Sequence, residues 1–414
     1  MTKAVAAPGV LDEARRILPW ISGVRRRLHA EPELGLQLPR TQATIASELQ
    51  GLGLTPRLGG TTTSVTALIE AAQPGPAILL RADMDALPLQ EDTGLDFAST
   101  VPGAMHACGH DTHVAMLLGA ARLLVERRAE LSRPVLLMFQ PGEEGFHGAR
   151  YMLDEGMLDG AGGAITEAFA LHITTQYESG TINLRPGPEL AAGDTIRITV
   201  RGRGGHASAP HLAADPITVA AEIVLGLQTM ISRRVNAFDP AVITIANIVA
   251  GTTTNVIPET AFLQGTLRTV SEETRAAVRG YVRQVVAGIC AAYDVTGDVQ
   301  LEAGYPVTIN DADFTSIVRT VAADLLGPEA VRAMTAPIMG SEDFSYVLQR
   351  VHGALAFLGA RPAGLDPATA PQNHSNRVVF DEEAMPVGAA LYAAMALRLP
   401  AGDGSKGTGS DGTR

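Results

Sequence analysis

The stretch Met105-His106-Ala107-Cys108-Gly109-His110-Asp111-Thr112-His113 brings together one thiol, three imidazoles and one carboxylate. An apolar run, Val114 to Leu118, follows at once, which is typical of a functional loop that leads into a buried helix. Cys108 and His110 are two residues apart, so in an extended loop both side chains reach the same side. One metal ion could take a thiolate and an imidazole here. Two ligands are too few, so other segments must supply the rest.

Three apolar segments that we predict to be strands each lead to polar residues. Ala77–Leu80 precedes Arg81-Ala82-Asp83-Met84-Asp85, Val135–Phe139 precedes Glu143-Glu144, and Phe169–Leu171 ends on His172. Open α/β sheets place their chemistry at the carboxyl ends of strands. The repetition therefore predicts one parallel or mixed sheet, helices on its faces, and one site at the strand ends. Apolar residues at helical spacing predict helices over residues 11–31, 41–52, 114–129, 313–326 and 385–399.

Length and composition limit the function classes. The 414 residues exceed the ~250–300 at which a single core stops growing, so we expect two domains. The net charge of −12 is dispersed along the chain, which argues against nucleic acid or an anionic membrane as a partner. Apolar runs stay shorter than the ~18–20 residues of a membrane span, and the first residues lack a signal-peptide pattern. With two cysteines there is no disulfide framework, which favours a cytoplasmic location.

The pattern changes after residue 190. Strands are predicted over 194–201, 241–250, 261–269 and 299–303, and helices over 215–233 and 271–293. The order β-α-β-β-α-β is that of the ferredoxin-like unit. We therefore predict a discontinuous catalytic domain, 1–190 plus 304–400, an inserted α+β domain, 191–303, and a disordered Gly/Ser-rich tail, 401–414. Sheets of this kind commonly pair edge to edge, so we expect a homodimer formed through the inserted domain.

The sequence offers more candidate ligands than one metal ion can use. A tetrahedral ion that keeps a reactive position open cannot use one thiolate, three imidazoles and one carboxylate, whereas two ions that share a ligand can. The set is Cys108, His110, Glu144, His172 and His374. Adjacent Glu143 and Glu144 point differently, so Glu144 can bind metal while Glu143 acts as general base and then as proton donor. Asp85 and Asp111 could each support a ligand from behind.

Several polar residues also have a purely structural interpretation. We interpret His29, His147, His211 and His352 as structural, and His106 and His113 as residues that orient the loop. The Gly-rich segment 202–210 presents His206, either as part of a simple turn or as a donor to a developing oxyanion. Arg268 is either an exposed salt-bridge residue or a bidentate partner for a substrate carboxylate, and Asn255 adds a polar amide.

Together these segments resemble the M20 metallopeptidases, in particular the amidohydrolase branch of hippurate hydrolases, N-acyl-amino-acid amidohydrolases and auxin-conjugate hydrolases. The resemblance extends from about residue 20 to the end of the last predicted helix. The matching blocks are RRLHAEPELG (26–35), RADMDALP (81–88), MHACGHDTHVAMLLGAA (105–121), FQPGEEGFHGA (139–149), ALHI (170–173), GRGGHASAPH (202–211), NVIPETAFLQGTLR (255–268), MGSEDFS (339–345) and NHS (373–375).

The resemblance implies a zinc-peptidase-like α/β catalytic domain and an inserted ferredoxin-like dimerisation, or lid, domain. It implies two divalent ions, with Mn or Zn favoured over Ni or Co, held by the five ligands named above, and Glu143 as acid/base. It also implies that His206 closes over the site from the partner subunit, and that Asn255 and Arg268 contact the substrate carboxylate. Asp83 stands where other branches of the family carry a histidine ligand.

We therefore predict hydrolysis of the amide of an N-acyl amino acid to a carboxylic acid and a free amino acid. Alternatives are a carbamoyl-amino-acid amidase or dipeptidase of the same fold, a hydrolase with Cys108 as nucleophile, and a non-catalytic metal-binding protein. The acyl group and the metal stay open at this point.

Overall fold

The computed structural model describes residues 9–161 and 163–398. These residues form two compact units, which we describe separately. The first comprises 9–187, 309–335 and 346–398 within the described residues, and the second comprises 188–308 and 336–345. The segment 336–345 belongs to the second unit, which its sequence did not indicate. The predicted domain boundaries remain a prediction, and the tail 401–414 lies outside the described residues.

The first unit is built on an eight-stranded mixed sheet, as the sequence predicted. The central strands Val135–Gln140, Ala77–Asp83, Ile165–Glu178 and His352–Arg361 run parallel to one another. The first two are buried along their whole length, as expected for apolar strands that are covered on both faces. In order across the sheet the strands are Arg57–Leu58, Val65–Ile69, Val135–Gln140, Ala77–Asp83, Ile165–Glu178, His352–Arg361, Ile182–Leu184 and Val331–Ala333.

Helices pack against this sheet, and two of them correct the sequence predictions. The helix predicted over 11–31 is two helices, because Pro19 near the start of the second lacks an N–H and cannot continue the first. The helix predicted from residue 114 begins at His110, so His110 and His113 lie on the helix instead of in a loop. The helices are Val10–Arg16, Leu18–Ala30, Pro39–Gly51, His110–Glu126, Gly148–Asp154, Ala312–Leu326 and Met385–Arg398.

The strand that carries His172 is also longer than predicted. It runs over Ile165–Glu178, so His172 lies within the strand and not at its end. Its register with the neighbouring strand pairs Arg81 with Ala170, which places His172 level with Asp83 at the end of that strand. The predicted gathering of polar groups at one edge is therefore correct, although one strand continues past that edge.

The second unit has the predicted ferredoxin-like order of elements. Its four-stranded antiparallel sheet is covered by Pro216–Arg234 and Glu272–Ala292, whose apolar faces join one buried core. Across the sheet the strands are Ala241–Ala250, Thr260–Thr269, Ala192–Arg201 and Thr296–Ala303. Ser271 caps the second helix by accepting a hydrogen bond from the Thr274 N–H. A separate two-stranded ribbon pairs Gly205–His206 with Val256–Ile257.

The remaining elements are short. They are Arg128–Glu130, Met157–Ala161, Gly187–Leu190, Pro210–Leu212, Thr308–Asn310, Pro328–Ala330, Ser345–Leu348 and Glu382–Ala384. Among the described residues, no helix combines the length and the apolar character that crossing a bilayer requires.

Candidate active site

A tight turn before the helix His110–Glu126 presents Cys108 and His110. Gly109 between them has φ +87°, a left-handed conformation that glycine adopts without strain. A Cβ at this position would overlap the Ile173 side chain. Glycine is therefore required for the backbone to pass this close to the strand that carries His172.

Cys108 lies at the centre of the candidate ligands. Its Sγ is 3.4 Å from His172 Nε2 and 3.3 Å from His374 Nε2. Donor atoms of Cys108, His110 and His172 lie within 4.8 Å of one another, and those of Cys108, Glu144 and His374 do so as well. His374 Nε2 is also 3.3 Å from Glu144 Oε1. The structure thus brings all five predicted ligands together as two triads that share one thiol.

These distances suit metal coordination. Two donors on one tetrahedral ion, each about 2.0–2.3 Å from it, lie roughly 3.3–3.7 Å apart. The ring of His172 donates from Nδ1 to the Ile173 carbonyl at 2.8 Å, which leaves the lone pair of Nε2 directed towards Cys108. Both ring nitrogens of His110 are buried without a hydrogen bond, so this imidazole also has a lone pair to offer. The residues therefore fit two divalent ions, which the comparisons below also favour.

The electrostatics of the cluster favour a cation. Burial lowers the pKa of His172, which keeps its ring neutral. The Cys108 thiol and the Glu144 carboxylate raise the pKa of His374 to about 10. Although burial alone would lower the pKa of His110, the charge of Asp83 raises it well above its usual value. A field that holds protons on His110 and His374 would also attract a metal ion, which competes with protons for the same lone pairs.

Asp85 holds the Glu143-Glu144 pair in place. Its Oδ1 accepts a hydrogen bond from the Glu143 N–H and its Oδ2 accepts one from the Glu144 N–H, both at 3.0 Å. The same carboxylate lies 3.4 Å from His110 Nδ1. One buried side chain thus fixes the backbone of both glutamates beside the candidate ligand His110. This agrees with the predicted place of Asp85 behind the ligands, and its predicted catalytic role remains a hypothesis.

Asp83 and His113 are engaged with each other. His113 Nδ1 donates to Asp83 Oδ1 at 2.5 Å, and His113 Nε2 accepts from the Ile173 N–H at 2.7 Å. Arg81 donates to the other oxygen of Asp83 at 2.6 Å. Because both of its ring nitrogens are used, His113 has no lone pair left for a metal ion.

Asp111 belongs to a separate buried cluster. Its Oδ2 accepts hydrogen bonds from Arg25 Nε at 2.8 Å and from His29 Nδ1 at 2.7 Å. Sequence reasoning missed Arg25, because an arginine on an amphipathic helix usually faces solvent. The ring of His106 is buried nearby, 6.3 Å from that of His29, and burial lowers the pKa of His106 to about 3. These residues anchor the start of the helix that carries His110.

In the second unit, His206 and Asn255 come together on the two-stranded ribbon. They line a cleft of about 420 Å³ with Ile257 and Glu259. His206 is exposed, and its Nδ1 accepts a hydrogen bond from the Ser208 N–H at 3.1 Å, so in the neutral ring the proton lies on Nε2. Arg268 lies elsewhere, on the strand Thr260–Thr269.

Arg268 packs closely against Gly193, and its Nη1 donates to Ser341 Oγ at 2.8 Å. Burial lowers the pKa of Arg268, although its side chain remains ionised at neutral pH. It is not part of an exposed surface salt bridge, which was the structural interpretation of its sequence.

Comparison with known proteins gives a consistent assignment. The profile of peptidase family M20/M25/M40 matches residues 79–398. Thermostable carboxypeptidase 1 of Saccharolobus solfataricus is 38% identical over 94% of this chain and 97% of its own. IAA-amino acid hydrolase ILR1-like 4 of Arabidopsis thaliana is 36% identical, covering 92% and 85%. N-acetylcysteine deacetylase of Bacillus subtilis is 38% identical, covering 90% and 95%.

Similar solved structures support the same family assignment. A putative aminohydrolase from methicillin-resistant Staphylococcus aureus has a TM-score of 0.87 at 29% identity, covering 94% of this chain and 98% of that one. The Bacillus subtilis YXEP protein, described as a dinuclear metal binding peptidase from the M20 family, has a TM-score of 0.80 at 34% identity, covering 92% and 98%. The chain belongs to peptidase family M20/M25/M40, within its amidohydrolase branch.

Proposed function

We propose that this protein is a two-metal amidohydrolase that cleaves N-acyl amino acids into a carboxylic acid and a free amino acid. The observation that carries the proposal is the pair of ligand triads sharing Cys108, with Glu143 fixed beside them by Asp85. Relatives named as an IAA-amino acid hydrolase and as an N-acetylcysteine deacetylase support this reaction class.

In this proposal Cys108, His110, Glu144, His172 and His374 hold two divalent ions. Bound ions of this kind lower the pKa of water and polarise a carbonyl oxygen. Glu143 takes a proton from the attacking water and later delivers it to the leaving amine nitrogen. It is nearly buried and its backbone is held by Asp85, so little reorganisation is needed for either step. The metal is Mn or Zn in our proposal, since thiolate and imidazole ligands suit Zn and the carboxylate ligand suits Mn.

His206, Asn255 and Arg268 complete the proposed machinery. Because Nδ1 of His206 accepts a hydrogen bond, Nε2–H is available to donate to the oxyanion that develops on the substrate carbonyl. Asn255 lies next to it across the ribbon. Arg268 offers a guanidinium for the substrate carboxylate, which is the group that every N-acyl amino acid shares.

We also propose a homodimer formed through the edge strand Ala241–Ala250. Among the described residues this strand pairs with a neighbour on one side only, and three of its apolar residues, Val242, Ile248 and Val249, are exposed. A long, apolar edge strand is a surface that proteins normally cover. In such a dimer His206 would act on the partner's substrate, so mixing His206→Ala with Glu143→Ala subunits should restore part of the activity. Verified heterodimers without recovery would rule out action in trans.

A Cys108 nucleophile is disfavoured. Burial raises the pKa of the Cys108 thiol, so without a metal ion it stays protonated and is a poor nucleophile. Chelation separates the two mechanisms, because a thiol hydrolase should keep its activity and a two-metal hydrolase should lose it.

A second candidate activity is release of a carboxyl-terminal residue from a peptide. The carboxypeptidase relative favours it, and the bond cleaved is again an amide on the nitrogen of an amino acid with a free carboxylate. The two substrate classes differ on the acyl side of that bond, so the acyl group decides between them.

The deciding experiment measures free amino acid released from a panel of acetyl, benzoyl, fatty-acyl and indole-acetyl amino acids, N-carbamoyl amino acids and dipeptides. Metal-stripped protein is assayed with and without added Mn or Zn. Metal-dependent release from the acyl compounds supports the proposal and ranks the acyl groups. Release only from carbamoyl or dipeptide substrates would replace it with the amidase or dipeptidase alternative. The predicted cytoplasmic location is a separate hypothesis that this assay leaves untouched.

A further inference from the structure

Two parallel strands of the first unit separate next to the candidate ligands. Ala77–Asp83 and Ile165–Glu178 pair in register up to Arg81 and Ala170. Beyond that pair, the N–H groups of Leu171 and Ile173 still point towards the edge where the ladder would continue, because alternate N–H groups of a strand share one side. Buried N–H groups must find acceptors. Side chains supply both acceptors here.

The first acceptor is Tyr392, on the buried helix Met385–Arg398. Its hydroxyl accepts from the Leu171 N–H at 2.8 Å and donates to the Arg81 carbonyl at 2.6 Å. A single phenol oxygen thus bridges the two strands at the point where their pairing ends. The side chain is fully buried and packs edge-on against Phe169, so the hydroxyl has little freedom to move.

The second acceptor is His113, one turn along the helix that begins at His110. Its Nε2 accepts from the Ile173 N–H and its Nδ1 donates to Asp83 Oδ1, so it also spans the two strands. Asp83 is held on its other oxygen by Arg81. The tautomer of His113 is thereby fixed, and no other neutral side chain of this shape combines a donor and an acceptor on opposite sides of a ring.

His172 lies between the two bridged positions. Its neighbours Leu171 and Ile173 are both anchored, and its side chain points to the opposite face of the strand from theirs. The His113 ring packs edge-on against that of His172, with centroids 4.8 Å apart, and stacks on His110 at 5.4 Å. Two candidate ligands of the same triad therefore contact one side chain that cannot itself bind a metal ion.

We propose that Tyr392 and His113 are positioning residues that replace two ladder hydrogen bonds and so fix His172 for the ion held by Cys108, His110 and His172. This inference rests on the proposed two-metal function. It assigns a role to His113 and Tyr392 that is distinct from metal binding, and it explains why the strand carrying His172 can extend past its neighbour without exposing unpaired N–H groups.

The consequence is an asymmetry between the two ions. The ligands of the other triad that are not shared are held by other groups: the Glu144 N–H donates to Asp85, and the His374 N–H donates to the Ala107 carbonyl at 2.9 Å. Loss of a bridge should therefore weaken the binding of one ion and leave the binding of the other unchanged. Removing such supporting hydrogen bonds typically costs about 10–100-fold in metal affinity.

The test uses the full-length protein with Zn²⁺ or Co²⁺ and a competing chelator, so that two dissociation constants are measured without an assay of turnover. His113→Phe removes both bonds of the ring, and Tyr392→Phe removes only the hydroxyl. We expect one dissociation constant to rise by about 10–100-fold in His113→Phe, by a smaller factor in Tyr392→Phe, and the other constant to stay unchanged in both. The absorption bands of bound Co²⁺ should change for the weakened ion alone.

Two further variants separate positioning from general stability. Leu49→Ala removes buried apolar volume from a helix that carries no candidate ligand, so it should lower the melting temperature of the metal-free protein and leave both constants alone. His113→Asn places an amide near the Nδ1 position, so it keeps a donor for Asp83 and loses the acceptor for Ile173. We expect it to resemble His113→Phe, and full recovery of affinity in His113→Asn would overturn the bridging role.

Unchanged constants in both Tyr392→Phe and His113→Phe would also overturn the proposal. If the His113 variants fail to fold, Tyr392→Phe decides alone, because it keeps the ring and its packing. Wild-type protein that binds fewer than two ions would contradict the proposed function instead, so the two failures are distinguishable.

Discussion

The two units hold their candidate functional histidines in opposite ways. In the first, His113 is fully buried and both ring nitrogens are committed, and the ligands around it are held by a continuous set of hydrogen bonds. In the second, His206 is exposed, and its side chain forms hydrogen bonds with Ser208, which lies two residues away. The buried arrangement around His113 fixes the positions of the side chains. The exposed arrangement leaves the Nε2–H of His206 directed at solvent.

This difference indicates separate tasks. A metal site needs donors fixed to within a fraction of an ångström, and burial with full hydrogen bonding supplies that. A group proposed to donate to an oxyanion needs freedom and a correct tautomer, which local hydrogen bonds with Ser208 provide for His206. In the second unit the buried charges serve the fold instead, since Asp194 binds Arg275 and Arg279 within its own sheet and helix.

The largest expected effect tests the acid/base role in the first unit. Glu143→Gln keeps the size and the backbone hydrogen bond to Asp85 but cannot accept a proton. We expect kcat to fall by about 10²–10⁴-fold, with two ions still bound and the melting temperature unchanged. Steady-state kinetics and elemental metal analysis on the same preparation measure both.

The neighbouring Glu144→Gln serves as the contrast. It removes a proposed ligand, so it should reduce metal content as well as activity. Equal metal loss in both variants would mean that the adjacent glutamates do not divide their tasks as proposed.

The next prediction concerns the buried charge of the second unit. Burial alone would raise the pKa of Asp194, but hydrogen bonds from Arg275 and Arg279 lower it below its usual value. A carboxylate whose pKa is lower in the folded state stabilises the fold above about pH 4, and this contribution is lost as the pH falls through the folded-state pKa. Asp194→Asn should cost about 3 kcal/mol at neutral pH, since it removes the buried carboxylate charge that the guanidinium groups of Arg275 and Arg279 share.

Urea unfolding at several pH values measures the contribution of Asp194 to the free energy of unfolding. The loss of unfolding free energy below about pH 4 should be shallower in Asp194→Asn than in the wild type. Asp298→Asn, at an exposed position of the same sheet, is the matched control and should change the free energy of unfolding little. A variant with unchanged stability at neutral pH would show that the ion pairs are not what holds this sheet to its helix.

His206→Ala tests the exposed donor. Because the side chain is exposed, we expect no change in melting temperature or metal content, while kcat falls by about 10²–10³-fold, the usual loss for one oxyanion donor. His206→Gln, which can still donate, should recover part of the rate. His211→Ala, another exposed histidine of the same unit, should be neutral. A fall in metal content in His206→Ala would contradict the separation of tasks between the units.

The proposed ligand set could be picked out from the sequence because metal binding uses rare residue types, which here stand in small-residue surroundings. Cys108, His172 and His374 were visible for that reason, and the three strands beside the site followed from their apolar runs. Contacts between distant segments could not be predicted. Nothing in the pattern around Tyr392 or Arg25 distinguishes them from ordinary helix residues, since their partners lie 221 and 86 positions away. The start of the helix at His110 was missed because its first turn is polar and reads as a loop.

The smallest predicted effect concerns Asp85, the residue that links the glutamate pair to His110. An asparagine there can accept from only one of the two N–H groups, and its own NH₂ would face the other. We therefore expect Asp85→Asn to lower kcat/KM by about 10–100-fold with only partial loss of metal. Asp92→Asn, which removes an exposed ion pair with Arg377, is the control and should be close to neutral. Should Asp85→Asn match wild-type kinetics, fixed backbone geometry at Glu143 would not be what makes the buried unit catalytic, and the contrast with the exposed His206 would lose its functional meaning.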